Sequence, residues 1–120
     1  MKEAKVLRAR ECEKIDADWG ALTWFASGEL GNCDEMTVGK CVIKPDCANP
    51  VHRHPACSEV LVVCQGRIAH SIENGEEVEL GEGDVITIPR GMPHNARNIS
   101  NQDAVLQIAF SSADRRAEGE

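Results

Sequence analysis

Three histidines and one glutamate form the pattern in this chain that is best suited to chemistry. His52 and His54 are two residues apart, so on an extended strand both side chains leave the same face. Glu59 follows a short connection, and a hairpin there would bring it beside the histidine pair, while His94 comes after a turn rich in proline and glycine. Imidazole suits Zn, Cu, Fe, Ni and Co, and a carboxylate also admits Mn. The set predicts one divalent transition metal, whose identity among these six the sequence leaves open.

Each histidine taken alone has a plainer interpretation. A His-x-His pair is common in loops, and a single histidine is more often a surface or capping residue than a metal ligand. The spacing of the residues around the four candidates favours the metal.

That spacing resembles the cupin superfamily, and in particular its small single-domain bacterial-type members. Its first motif has the form G-x5-H-x-H-x3,4-E-x6-G, and its second has the form G-x5-P-x-G-x2-H-x3-N. Nine of the ten specified positions agree, namely His52, His54, Glu59, Gly66, Gly83, Pro89, Gly91, His94 and Asn98. Asp46 stands where the family has its first glycine. Since Asp tolerates left-handed backbone angles better than most residues, we expect the turn to survive.

The resemblance implies an all-β fold, a single cupin jelly-roll β-barrel with one metal held by His52, His54, Glu59 and His94, and frequently a homodimer. We expect residues 1–35 to form an N-terminal extension packed on the barrel, residues 36–110 the barrel itself, and residues 111–120 a flexible tail. The apolar pair Val6-Leu7 would suit the addition of an edge strand to a partner's sheet.

Short strands separated by turn signals support an all-β fold independently of the resemblance. They are predicted at residues 36–44, 59–64, 68–72, 78–80, 85–88 and 104–110. Asn74-Gly75 lies between two alternating segments and predicts a tight hairpin turn, because both residues accept positive φ. Residues 9–18 fit either a turn of helix or an edge segment.

His70 is the fourth histidine and lies outside both motifs. It alternates with Ile68 and Ile72, which should face the barrel interior. A histidine on an apolar strand face is usually a core residue, but here the interior is also where the metal would lie. We predict that His70 lines the pocket as the catalytic acid, base or substrate-orienting group.

Other residues carry weaker predictions. Arg90 and Arg97 could meet an anionic substrate at the barrel mouth, Asn98 could orient a ligand or cap a turn, and Cys57 is expected to be a bystander. Large apolar groups are candidates for the pocket, a dimer interface or plain core, namely Trp19, Trp24, Phe25 and Met92.

Composition excludes several classes of partner. The net charge of −7 over 120 residues opposes nucleic acid and anionic membrane surfaces. The N-terminus lacks the apolar run of a signal peptide, so we expect a cytoplasmic protein whose six cysteines are reduced thiols.

Four protein ligands on an ion that prefers five or six leave positions for water, O2 or a chelating substrate. Oxygenases and isomerases of small oxygenated molecules are the commonest members of the cupin superfamily with this ligand set, so the resemblance implies a small-molecule enzyme, foremost a dioxygenase-like one. The alternatives are a sugar or keto-acid isomerase and a non-catalytic protein that binds or senses a small molecule.

Overall fold

The computed structural model describes residues 3–119, whose regular secondary structure consists mainly of β-strands. In chain order they are β1 (Lys14–Ala17), β2 (Gly20–Ala26), β3 (Thr37–Ile43), β4 (Glu59–Gln65), β5 (Ile68–Ser71), β6 (Glu77–Leu80), β7 (Val85–Ile88), β8 (Ala96–Asn98) and β9 (Ala104–Phe110). Two single turns of 3-10 helix lie at Ala9–Glu11 and Glu73–Gly75. Over residues 3–119, no helix has the length and apolar character needed to cross a bilayer.

The strands form two antiparallel sheets, as expected for a jelly roll. The larger sheet has the order β1-β2-β3-β9-β4-β7, and the smaller sheet has the order β6-β5-β8. The core lies between them, because buried side chains of both sheets form one cluster, with Leu61 and Leu106 from the larger sheet and Ile68 and Ala96 from the smaller. The predicted all-β fold is confirmed.

Strict alternation explains why the central strands face the core with one side only. Along β9, Ala104, Leu106, Ile108 and Phe110 are buried, while Gln107 is exposed. A period of two places successive side chains on opposite faces of a sheet, so this strand presents an apolar face inward and a more polar face outward.

Two turns follow their sequence signals. Asn74 and Gly75 have φ of 65° and 75°, and the Glu76 amide donates to the Glu73 carbonyl across the turn between β5 and β6. Asp46 has φ of 63°, so this aspartate adopts the left-handed conformation that the family gives to glycine.

Both terminal segments are attached to the sheets by backbone hydrogen bonds. Residues 9–18, for which helix and edge strand were both considered, contain a 3-10 turn followed by the edge strand β1. The 1–35 region also contributes β2, which pairs with β3 and has a register shift between Trp24 and Ala26. At the other end, the Gly28 amide donates to the Ala113 carbonyl, and Arg53 and Glu118 exchange two backbone bonds. The division of the chain at residues 35 and 110 into an N-terminal extension, a barrel and a tail stays a prediction.

Candidate metal centre

The first and last candidate ligands lie on adjacent, hydrogen-bonded segments. The amide of His52 donates to the carbonyl of His94 over 3.0 Å, and the amide of His94 donates to the carbonyl of His52 over 2.8 Å. Their ring centroids are 4.4 Å apart. His54 is buried beside them, whereas Val51 and Arg53 are exposed, so the alternation expected of an extended segment places both histidines on the inner face.

Glu59, the first residue of β4, completes the cluster. Each of His52, His54, Glu59 and His94 offers a donor atom, these atoms all lie within 4.8 Å of one another, and all four residues are buried. Bonds of about 2 Å from nitrogen and oxygen to a metal bring its donors to roughly 3 to 4 Å from each other. A small contraction of the cluster around an ion would therefore bring the four donor atoms to metal-binding distances.

Hydrogen bonds to backbone carbonyls orient all three imidazoles in the same way. Nδ1 of His52 donates to the Pro50 carbonyl over 2.8 Å, Nδ1 of His54 to the Arg116 carbonyl over 3.0 Å, and Nδ1 of His94 to the Met92 carbonyl over 2.9 Å. In a neutral imidazole, a proton on Nδ1 leaves Nε2 as the electron-pair donor. Such partners fix the tautomer of metal-binding histidines.

The centre of the cluster requires a cation. Nε2 of His94 lies 3.1 Å from Oε1 of Glu59, and Nε2 of His54 lies 3.3 Å from the same oxygen. With Nδ1 protonated, these nitrogens are acceptors that face another acceptor, and such pairs repel unless a proton or a metal ion lies between them. Nε2 of His54 is buried without a hydrogen bond. The donor set fits one divalent transition metal.

Glu59 is ionised in this setting. Burial by itself raises the pKa of its carboxyl group, but when a proton lies on Nε2 of His54 and His94, their hydrogen bonds and positive charge outweigh burial and lower the pKa to about 2. The site therefore holds a negative charge that a divalent cation neutralises.

The ligands form one wall of a cavity of about 240 Å³. His52, Glu59 and His94 line this cavity, whereas His54 is not among the described residues that line it and packs against Phe110, with ring centroids 4.7 Å apart. The remaining wall is largely apolar and includes side chains from both sheets, namely Trp19, Leu22, Trp24, Leu61, Ala96, Leu106 and Ile108. A metal bound here is open to a small guest on one side only.

His70 lies in the same cavity. Its ring stacks on that of His94, with centroids 5.6 Å apart and planes at 16°. Its Nδ1 donates to the Ser71 carbonyl over 2.7 Å, and its Nε2 is buried without a hydrogen-bond partner. Burial lowers the pKa of His70, so Nε2 is an unprotonated acceptor at neutral pH.

Sequence reasoning missed two residues that line the cavity, Asn49 and Arg115. Arg115 lies beyond the last predicted strand, and Asn49 lies in the turn region before His52. Arg115 stacks over the Trp24 ring at 4.4 Å from its centroid. The Asn49 side chain accepts a hydrogen bond from the Ala96 amide over 2.8 Å.

Other candidates have roles away from the cavity. Arg97 forms an exposed ion pair with Glu77 over 2.9 Å. The side-chain Nδ2 of Asn98 donates to the Ile43 and Gln102 carbonyls, and its Oδ1 accepts from the Ser100 amide. Asn98 therefore stabilises a loop. The buried thiol of Cys57 donates to the Arg115 carbonyl, and burial, followed by the charge of Glu59, raises the pKa of Cys57. None of the six cysteines, which all lie within residues 3–119, forms a disulfide.

A family model described as a cupin domain matches residues 39–110, and the chain belongs to the cupin family. Germin-like protein 3-8 of Oryza sativa subsp. japonica is 33% identical over 81 residues, which make up 64% of this chain and 36% of that protein. Oxalate oxidase 1 of Hordeum vulgare is 26% identical over 96 residues, which make up 74% of this chain and 46% of that protein. The chain thus spans less than half the length of these curated relatives.

Solved structures share the fold. An oxalate decarboxylase of Lactobacillus farciminis, in its formate complex, matches with a TM-score of 0.80 over 92% of this chain and 34% of that one, at 17% identity. An oxalate oxidase structure matches with a TM-score of 0.78 over 94% of this chain and 61% of that one, at 20% identity.

Proposed function

We propose that the protein is a metal-dependent enzyme that oxidises a small oxygenated molecule with dioxygen, as a dioxygenase does. The observation that carries this proposal is the opening of a buried His3Glu cluster onto a largely apolar cavity of about 240 Å³. A cavity this small admits only a small guest, since pockets for drug-sized ligands begin at about 300 Å³.

Different residues of the chain bind the metal and exclude water. His52, His54, Glu59 and His94 would hold the metal, which when bound supplies Lewis acidity and open positions for oxygen donors. The apolar wall, with Trp19, Leu61 and Leu106 among its members, excludes water from the guest.

His70 supplies a proton acceptor or an orienting group beside the metal ligands, because its ring stacks on that of His94. Its Nε2 electron pair has no protein partner, and its Nδ1 is held by the Ser71 carbonyl. A hydroxyl or an activated C–H group of a bound substrate can therefore donate to Nε2, or lose its proton there.

The comparisons give distant support for the substrate class. The relatives named above include proteins called oxalate oxidase and oxalate decarboxylase, whose names specify a small oxygenated molecule. Since the chain covers only part of them, the reaction itself rests on the site.

Oxygen uptake tests the proposal directly. The purified chain is analysed for metal, loaded with Fe(II) or Mn(II), and supplied with small carboxylic acids, diketones, catechols and thiols in an oxygen electrode. We expect uptake with at least one class, and none from a His94→Ala variant that has lost its metal. A fully loaded protein that consumes no oxygen with any class contradicts a dioxygenase.

Isomerisation of a sugar or keto acid is the second candidate, and His70 is the observation that favours it. Transfer of a proton between adjacent carbons needs one acceptor beside a metal-bound oxygenated substrate, and Nε2 of His70 is such an acceptor. Proton exchange with deuterated water, followed by NMR, detects this reaction without oxygen. A loaded protein that binds ligands but shows neither uptake nor exchange is a binding or sensing protein.

A cytoplasmic location is likewise a proposal. It is supported by the six cysteines, which all lie within residues 3–119 and form no disulfide.

A further inference from the structure

Three residues that line the cavity stand in one row across the smaller sheet. His70 on β5 is the cross-strand partner of Ala96 on β8. The chain segment before the first metal ligand extends this sheet beyond β8, since Ala48 pairs with Arg97 in an antiparallel bridge. In the same register, the Asn49 amide donates to the Ala96 carbonyl over 3.2 Å. Direct cross-strand partners lie on the same face of a sheet, so His70, Ala96 and Asn49 line the cavity side by side.

The orientation of the Asn49 side chain is fixed by the backbone of β8. Its Oδ1 accepts a hydrogen bond from the Ala96 amide over 2.8 Å, and its backbone carbonyl accepts one from the Asn95 side chain over 3.2 Å. A backbone N–H only donates, so the side-chain atom that meets it is the oxygen, and the other atom is the NH2 group. No acceptor among residues 3–119 pairs with this Nδ2. Asn49 therefore offers a hydrogen-bond donor at the cavity.

His70 offers the complementary group at the other end of the row. Its Nδ1 donates to the Ser71 carbonyl over 2.7 Å, which leaves Nε2 as an electron-pair donor, and Nε2 is buried without a hydrogen bond. Ala96 separates the two polar residues with only a methyl group. The backbones of His70 and Asn49 are two strand spacings apart, about 10 Å, so a guest of a few atoms above Ala96 can reach both side chains.

A guest that satisfies both residues must carry a donor and an acceptor of its own. A hydroxyl group donates to Nε2 of His70, and a carbonyl oxygen accepts from Nδ2 of Asn49. A fully ionised dicarboxylate offers acceptors only, so it leaves Nε2 facing another electron pair, which is unfavourable in a buried place. The row therefore distinguishes among classes of small oxygenated molecules.

We infer that Asn49 and His70 together set the substrate specificity, and that the substrate is a small hydroxy ketone or hydroxy aldehyde. This inference rests on the proposed function, because it takes the cavity beside the metal to be the substrate site. It assigns a role to Asn49, a position that both cupin motifs leave open.

Two isomeric ketones, 1-hydroxy-2-butanone and methoxyacetone, are suitable probes. Both are neutral and carry an oxygen on the carbon next to a carbonyl group, but only the hydroxy ketone has an O–H donor. Binding to the Mn(II)-loaded full chain is followed by the NMR relaxation of the probe protons. The bound Mn(II) accelerates this relaxation, so the measurement detects weak ligands that lie close to the metal.

Asn49→Asp and His70→Phe test the two residues separately. Aspartate keeps an oxygen for the Ala96 amide and replaces only the NH2 donor, while phenylalanine keeps an aromatic ring without nitrogen. Asn101→Asp, at an exposed position outside the cavity, is the matched control for the added negative charge. Mn(II) content and circular dichroism are measured for every variant.

We expect the wild type to bind the hydroxy ketone about 10- to 100-fold more tightly than its methoxy isomer, because the isomer leaves Nε2 of His70 without a partner. His70→Phe should lose this preference. Asn49→Asp should bind both probes about 10-fold more weakly and keep the preference, since the two probes have the same carbonyl acceptor. Asn101→Asp should match the wild type.

Equal binding of the two probes by the loaded wild type overturns the role of His70 without any variant, as does a preference that persists in folded His70→Phe. Wild-type affinity in Asn49→Asp makes Asn49 a structural residue only. A loaded wild type that binds neither probe removes the substrate class. Failure of the proposed function is distinct, since it appears as a chain that takes up no metal, or as a loaded chain that prefers the hydroxy ketone but shows no turnover on any substrate class.

Discussion

The metal centre depends on the placement of single protons. Backbone carbonyls of Pro50, Met92 and Arg116 accept hydrogen bonds from the three ligand imidazoles and so select Nε2 as the donor atom. The four ligand positions could be predicted from motif spacing, because the motif encodes side chains. The Arg116 carbonyl could not, since any residue type supplies a carbonyl and the contact spans 62 positions.

Acidification should release the metal through the histidines and not through Glu59. The pKa of Glu59 is lowered to about 2, against an ordinary 4.5. The ionised carboxylate therefore makes its full contribution to the stability of the folded chain above pH 4.5, and this contribution is lost as the pH falls toward 2. Imidazoles must be neutral to bind metal, so protons compete with the metal for each ligand histidine. Between pH 7 and 5, metal loss should therefore follow imidazole protonation.

A Glu59→Gln variant separates the effect of the carboxylate on metal affinity from the effect of imidazole protonation. It should bind metal at least about 10-fold more weakly at pH 7, but its affinity should fall with the same slope between pH 7 and 5. Competition with a coloured chelator at each pH measures both quantities. If the slope disappears in Glu59→Gln, the carboxylate is the group that titrates.

Replacing His70 with Gln should remove activity and leave the metal in place. Its Nε2 faces the cavity without a protein partner, and loss of a general acid or base costs about 100- to 10,000-fold in rate. Metal analysis, circular dichroism and the rate of the reaction identified by oxygen uptake or proton exchange provide the readouts. Unfolding of His70→Gln and His70→Ala alike would instead make His70 a core residue.

At the scale of elements, alternation predicted the central strands and failed for the short or irregular ones. β9 carries the whole pattern within seven residues, and its bounds agree with the prediction. β2 was missed, although it contains Trp24 and Phe25, because a register shift between Trp24 and Ala26 interrupts the alternation. β8 has only three residues, too few for a period to be recognised.

The C-terminal segment, residues 111–119, is predicted to support the metal site through the backbone of Arg116. This residue has φ of 28°, a left-handed conformation that is unfavourable for residues with a Cβ, and its carbonyl meets His54. Arg116→Pro forces φ to about −65° and displaces the carbonyl, so metal affinity should fall about 10- to 100-fold. Arg116→Gly accepts the native angle and should keep wild-type affinity.

Chelator competition on the two variants decides this point, because both lose the same side chain. Equal affinities would show that the segment crosses the site without supporting it. Thermal unfolding of the metal-free forms separates a loss of affinity from a loss of folding.

At the scale of the molecule, we propose a homodimer. Val6 is 72% exposed and Leu7 is half-buried, outside any strand, close in sequence to the edge strand β1. An apolar segment beside an unpaired sheet edge is suited to pairing with a second copy. Light scattering should give twice the 13.1 kDa chain mass, and Val6→Asp should shift it toward the monomer.

Val85→Asp is the comparison variant, because Val85 is 53% exposed on β7 at the opposite edge of the same sheet. It should leave the mass unchanged. A wild type that scatters as a single chain at micromolar concentration removes the dimer altogether.

The smallest residue of β3 has an influence that reaches across the sheet. A Cβ at Gly39 would lie 2.5 Å from the Trp24 ring and 2.6 Å from the Thr23 carbonyl, so the indole rests directly on the bare backbone. The guanidinium of Arg115 rests in turn on that indole. A single methyl group at position 39 would displace the indole and, with it, the guanidinium stacked on it. The absence of a side chain on β3 thus determines where the guanidinium lies at the cavity.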